Sequence, residues 1–290
     1  MNWKYRRLIG MAIGCGSIVL LLTGGSPATA GVRQGLTLCG EVVIPALFPV
    51  TAAALFLARS GGADALARLL APVLAPLFRL PREACAVWLL SCLSGYPSGA
   101  ALIGRLADER AVDGATAARM TTFCIHAGPG MIVAAVGAGM LGSVRAGWLL
   151  LGCHAAASLL IGAVGARFAP KPGKGPLRAA KREGAAGAFV GAVADACRQM
   201  LGLCGYVLLF SAAGAMLPAA GQRWLLPLME ITRGAAALAQ GGCPLPLMAA
   251  ALGFGGLSVQ MQCLSLLGGK VPFGRLFAGR VLHAGVSASL

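Results

Sequence analysis

"SCLSGYPSGAAL", residues 91–102, sits inside an apolar stretch running from 84 to 104, yet it carries three serines, two glycines and a proline. Proline removes a backbone donor and glycine adopts dihedrals closed to other residues, so a continuous helix through this stretch is disfavoured. Whether the segment crosses a membrane or turns back at Gly95–Gly99 decides the topology of everything that follows.

The setting is apolar throughout. Of 290 residues, 58% are hydrophobic and 11% charged, with a mean hydropathy of +0.80, a composition of membrane proteins. Segments long enough to span or enter a bilayer recur at 8–23, 36–58, 84–104, 116–142, 146–168, 186–217, 222–239, 244–269 and 273–290. Each must satisfy its own backbone polar groups, which predicts an all-α polytopic membrane protein. The net charge of +15 comes from 24 basic residues gathered mostly in short loops. There they set orientation in the lipid bilayer, and no nucleic-acid partner is expected. Ten cysteines are scattered singly with no CxxC or zinc spacing, so neither metal nor cofactor is expected.

Charge fixes the crossings. The N-terminal "MNWKYRRLIGMAIGCGSIVLLLTGGSPATAG" reads as a signal peptide ending in the A-x-A of Ala28–Ala30 or as an uncleaved first helix with a cytoplasmic N-terminus. Both readings put residue 31 outside, and the second defines a leading segment, 1–34. The basic linker "RFAPKPGKGPLRAAKREG" (167–184) is cytoplasmic by the positive-inside rule. An odd number of crossings must join the two, but four segments lie between them. If 84–104 dips in and returns, Arg59, Arg68, Arg79, Arg82, Arg105, Arg110 and Arg119 all stay inside, and of the arginines from 59 to 145 only Arg145 is outside. The stretch quoted above is then the tip of a re-entrant hairpin whose arms are each too short to span.

The second half reads the same way from the opposite side. Residues 186–217 cross outward, 222–239 dip in, and 244–269 and 273–290 cross. The expected architecture is two inverted-topology repeats, 35–168 and 185–290, joined by the linker at 169–184, each with a re-entrant helical hairpin and a broken transmembrane helix. "YPSGAAL" (96–102) matches "ITRGAAAL" (231–238) around Gly-Ala-Ala, and "AGPGMIV" (127–133) parallels "GFGGLSV" (253–259). The amphipathic piece 63–80 has no counterpart and is expected at the cytoplasmic interface.

Non-helical backbone at membrane depth is tolerated where it is buried or lines a wet cavity, and inverted-repeat carriers place substrate and coupling ions at such breaks. Four breaks supply candidate substrate contacts. They are Ser94, Gly95, Tyr96, Pro97, Ser98 and Gly99; His126, Gly128 and Gly130; Glu230, Thr232, Arg233 and Gly234; and Gly255, Gly256, Ser258 and Gln260. Arg233 is the expected anion contact, and Gln260 and Gln262 cannot both face one cavity on a regular helix. Glu41, His154, Asp195 and Arg198 rank second. Nothing resembles a nucleophile elbow, an HExxH or a Walker loop, so neither an enzyme nor an ATP-driven pump is expected.

Taken together, "IPALFPV" (44–50), "SGYPSGAALIG", "HAGPGMIVAAVG", "LMEITRGAAAL" and "LGFGGLSVQMQ", in this order, resemble the sporulation integral membrane protein family, related to nucleoside-recognition (gate-domain) proteins and concentrative nucleoside transporters. The resemblance covers roughly residues 35–270. It implies a secondary transporter in the bacterial cell membrane or forespore membrane, moving a small organic anion, dipicolinate, during endospore formation. It leaves open a nucleoside or other small-solute carrier of the same fold, a non-transporting sporulation assembly factor, a coupling ion (H+ or Na+) and a homo-oligomer.

Overall fold

A computed structural model describes residues 3–169 and 184–290, so the core of the basic linker at 169–184 lies outside the described residues. All regular structure among them is helical. The chain opens with α1 (Trp3–Thr23), α2 (Gly25–Leu38), a π turn at Cys39–Val43, α3 (Ile44–Ser60) and α4 (Gly62–Phe78). It continues through α5 (Cys85–Ser94), α6 (Tyr96–Asp108), α7 (Gly114–Phe123), a wide π helix (Gly130–Met140) and α8 (Val144–Arg167). Beyond the linker come α9 (Ala185–Ala215), α10 (Ala219–Met229), α11 (Ile231–Gln240), α12 (Leu245–Phe254), α13 (Gly256–Leu267) and α14 (Phe273–Ser289).

Four helical runs are long and apolar enough to cross a bilayer: Gly25–Ser60, Val144–Arg167, Ala185–Ala215 and Leu245–Leu267. Large aliphatic and aromatic side chains stand exposed along them, Leu201 and Val190 on α9 and Leu149 and Val164 on α8 among them. In water such a surface is a liability, whereas lipid tails cover it without cost.

Residues 25–35, between the apolar segments read at 8–23 and 36–58, are helical, and Gly25–Ser60 is one run of 36 residues, about 54 Å at the α-helical rise. The cause is the Gly31-x-x-x-Gly35 pair, invisible to a hydropathy scan. A Cβ on Gly31 would lie 2.5 Å from Ser211 O and one on Gly35 3.1 Å from Leu208 Cδ2, so α2 lies directly on the backbone of α9, as small residues allow between membrane helices. Farther along, Arg59 at the end of α3 holds Asp195 of α9 (Nε to Oδ2, 3.1 Å), which also pairs with Arg198. These interactions clamp the first half onto the second.

The short helices fall into two similar sequences of elements. A long helix (α3 or α9) precedes a pair of short arms (α5 and α6, or α10 and α11), then a helix interrupted at its centre (α7 and the π helix, or α12 and α13), then a final helix (α8 or α14). Packing partners exchange between the two sets. The arm α6 lies on α13 and the arm α11 on the π helix; α3 meets the π helix and α9 meets α13; α7 packs on α14 and α12 on α8. The amphipathic α4 buries Ala67, Leu74 and Phe78 and leaves Leu69 and Val73 exposed.

Candidate functional site

Each short-arm pair is broken by different chemistry. Between α5 and α6, Gly95 stands at φ 87° and ψ −170°, a region essentially closed to residues with a Cβ. Its N–H closes α5 by donating to Ser91 O (2.8 Å), and Pro97 follows in the first turn of α6, where no donor is needed. Between α10 and α11 the turning residue is Glu230, in extended conformation and 1% exposed. Its carboxylate accepts from Thr232 N (2.9 Å) and Arg233 N (2.8 Å), capping α11. Glu230 and Arg233 therefore do not pair side chain to side chain.

The tips rest on the interruptions of the broken helices. Gly95 meets Gly128, where a Cβ on the latter would lie 2.9 Å from Gly95 N. Glu230 and Ile231 meet Gly256, where a Cβ would lie 3.1 Å from Ile231 N. The second interruption consists of two successive left-handed glycines, Gly255 (φ 79°) and Gly256 (φ 74°). The first is the non-helical run from Cys124 to Gly128 before Pro129.

Between the two tips is a narrow cleft with a cavity volume of about 40 Å³. Seven of the residues expected at a binding site line it: Gly95, Tyr96, Pro97, Gly128, Glu230, Thr232 and Ser258. Four helix N-termini border it, those of α6, the π helix, α11 and α13, each the positive end of a helix dipole, and that of α11 is already capped by the Glu230 carboxylate. Ser258 Oγ and Gln262 Nε2 are buried there without a hydrogen-bond partner, as suits atoms that meet a solute. Tyr96 lines the cleft while its hydroxyl donates to Leu252 O.

The remaining expected residues lie behind this surface. Ser94 Oγ donates to Leu90 O (2.6 Å) and Ser98 Oγ to Thr51 Oγ1 (3.3 Å). Gly99 and Gly234 are packing positions, and Gly130 abuts Ala46 O while Gly255 abuts the Tyr96 ring. Arg233, one residue past Thr232, turns to α9 and donates to Ser211 O (2.8 Å). Gln260 donates to Phe254 O (3.3 Å), and its neighbour Gln262 takes the cleft position. His126 borders the cleft residue Gly128 and places Nε2 3.4 Å from Cys92 Sγ. Residues from α3 and α9, Ala46, Leu47, Leu203 and Tyr206, complete the lining. They lie in unbroken apolar helices, and no sequence signal separates them from lipid-facing neighbours.

No family model matches the chain, and no solved structure matches it. It is similar to the sporulation integral membrane protein YlbJ of Bacillus subtilis (strain 168), with 32% identity over 130 residues, which is 45% of this chain and 32% of that protein. The matched region thus spans about a third of the length of that curated relative. The apolar helices and this similarity identify a multi-pass integral membrane protein.

Proposed function

We propose that the protein is a secondary carrier, not an enzyme, which moves a small organic anion across a membrane by alternating access, dipicolinate during endospore formation being the substrate. The reading takes residues 35–168 and 185–290 as inverted repeats, with α5–α6 and α10–α11 as re-entrant hairpins from opposite sides. The exchange of packing partners between the two sets of helices supports it. The observation that carries the substrate class is the convergence on one cleft of three helix N-termini without a side-chain cap, those of α6, the π helix and α13, with unpartnered Ser258 and Gln262. Each N-terminus favours a carboxylate by about 0.3–1 kcal/mol when exposed and up to about 2 kcal/mol when partly buried. With the N-terminus of α11 taken by Glu230, those of α6, the π helix and α13 are left for the carboxylates of a planar dicarboxylate. The sporulation context rests on the family resemblance and on the name of the Bacillus relative.

A second reading, a nucleoside or other neutral polar solute, is favoured by one feature: the cleft holds the Glu230 carboxylate and the Gln262 amide and no cationic side chain.

Uptake of labelled dipicolinate into liposomes carrying the purified protein tests the first reading, with nucleosides as the competing substrates. Ser258→Ala and Gln262→Leu should each lower uptake at least about tenfold, the worth of one lost hydrogen bond to a charged group. Full uptake in both variants overturns the site, and nucleoside uptake without dipicolinate uptake selects the second reading.

A further inference from the structure

The three histidines of the chain meet in one place, although 129 residues separate the two that hydrogen-bond. His283 Nε2 of α14 lies 3.3 Å from His154 Nδ1 of α8, with ring centroids 5.3 Å apart. The His126 ring stacks 6.1 Å from that of His283. One turn earlier on α14 is Arg280, wholly buried. Its Nη2 donates to Thr122 O (3.0 Å) at the C-terminal end of α7, while its Nε and Nη1 find no partner. His154 Nε2, His283 Nδ1 and Ser287 Oγ are buried without partners as well.

Among the described residues, the titratable groups around this cluster are weakly acidic or already basic. Tyr96 of α6, Cys263 of α13 and Cys124 after α7 interact electrostatically with Arg280, and Cys92 of α5 lies beside His126. The helices packed around α14, namely α7, α8, α12 and α13, contain no carboxylate. Arg119 of α7 points elsewhere, to Phe78 O and Arg79 O. Among the described residues the guanidinium is therefore a buried cation with the dipole of α7 against it, an arrangement that is costly unless a counter-charge arrives.

We infer that His154 and His283 form the proton site of a proton–anion symporter, with Arg280 as the fixed charge that makes anion and proton bind together. The inference rests on the anion-carrier reading above. A proton on the imidazole pair would stand as a second positive charge beside Arg280 in a low-dielectric interior, and the repulsion expels it. An anion in the cleft supplies the missing negative charge. Tyr96 links the two sites, since it lines the cleft while its hydroxyl donates to Leu252 O of α12, the helix packed on α14, and Gly128 of the cleft is two residues from His126. With the anion in place the proton is retained, and by linkage the proton tightens the anion to the same degree. The proton binds an imidazole nitrogen on one side of the membrane and leaves it on the other, so no bond but N–H forms or breaks. Sodium is a poor alternative, because hard cations take oxygen ligands and these donors are nitrogens beside a cation. Among the described residues no three His, Cys, Asp or Glu side chains converge as metal ligands.

The test is the affinity of the full-length protein for dipicolinate, read from its thermal stabilisation between about pH 6 and pH 8, where a carboxylic acid stays ionised. Affinity should tighten as pH falls, by up to about tenfold per pH unit for one proton taken up. His154→Gln and His283→Gln should flatten that slope. In 15N-histidine-labelled protein, dipicolinate added at about pH 6 should move an imidazole signal to its charged form, a readout that needs no variant to fold. A pH-independent affinity, a slope that survives both substitutions, or imidazoles that stay neutral on ligand addition overturns the symport inference and leaves the carrier reading standing. No stabilisation by dipicolinate at any pH overturns both.

Discussion

The two tips that face each other across the cleft turn the chain in the same place by different means. Gly95 and Glu230 occupy equivalent positions, because each accepts the first hydrogen bond of its second arm, from Gly99 N (3.3 Å) and Gly234 N (2.9 Å). The first tip turns because its residue lacks a Cβ. The second turns on a residue whose side chain replaces two missing backbone acceptors. Four residues on, both use glycine for one purpose: a Cβ on Gly99 would lie 2.3 Å from Cys124 O, and one on Gly234 2.2 Å from Pro227 Cα. The Gly-Ala-Ala shared by "YPSGAAL" and "ITRGAAAL" is thus a close-packing requirement, while the turning residue was free to differ.

Substitutions can break that comparison. The largest effect is expected from Gly99→Val and Gly234→Val, which drive side chains into main chain that cannot retreat. Each should cost more than about 4 kcal/mol and abolish the monodisperse peak in size-exclusion chromatography; a well-behaved variant at either position would show that the two glycines are not equivalent. Next come the turning residues, compared by thermal melting in detergent. Gly95→Ala should cost about 3 kcal/mol through the forced dihedral and a Cβ 3.1 Å from Gly128 N. Glu230→Ala should cost about 2 kcal/mol by leaving Thr232 N and Arg233 N uncapped, with Glu230→Gln recovering part of it through its remaining oxygen. Equal recovery by glycine at position 230 would mean that flexibility, not capping, makes the second turn.

The smallest effect is expected at an exposed cap away from the cleft. Asp113 accepts from Thr116 N (2.6 Å) at the start of α7, and this hydrogen bond holds its carboxyl below the usual carboxylate range. Asp113→Ala should lower stability by about 1 kcal/mol. Because the folded carboxyl is the more acidic, its contribution is complete above the unfolded value near about 4 and is lost as pH falls through the folded value. The difference between wild type and variant should vanish in acid and persist at neutral pH.

Much of the fold was legible in one dimension. Hydropathy marked the long helices, glycine and proline marked the interruptions at 94–99, 126–130 and 253–256 because these residues act on the backbone locally, and an acid and a base in an apolar stretch marked the one at 230–234. Packing of small residues was less legible. Gly31 and Gly35 extend α2 along α9, and only a facing helix gives that spacing meaning. Polar residues were least legible. Sequence favoured Arg233 as an anion contact because a lone arginine in an apolar hairpin invites one, but the turn of α11 carries its guanidinium to Ser211 O. Gln262 displaced Gln260 in the cleft by the same rotational arithmetic.

Composition and backbone chemistry therefore determined by themselves that this chain is helical, lives in a membrane and breaks its helices at four points, since each of these follows from residues a few positions apart. Only the tertiary structure decided that the four breaks share one cleft, and that His126, His154, His283 and Arg280 share one buried cluster. Those neighbours come from the interruption after α7, from α8 and from α14, and the hydrogen-bonded pair His154 and His283 is separated by 129 residues. Nothing local constrains such pairs. Their proximity is set by how the helices of one half pack between those of the other.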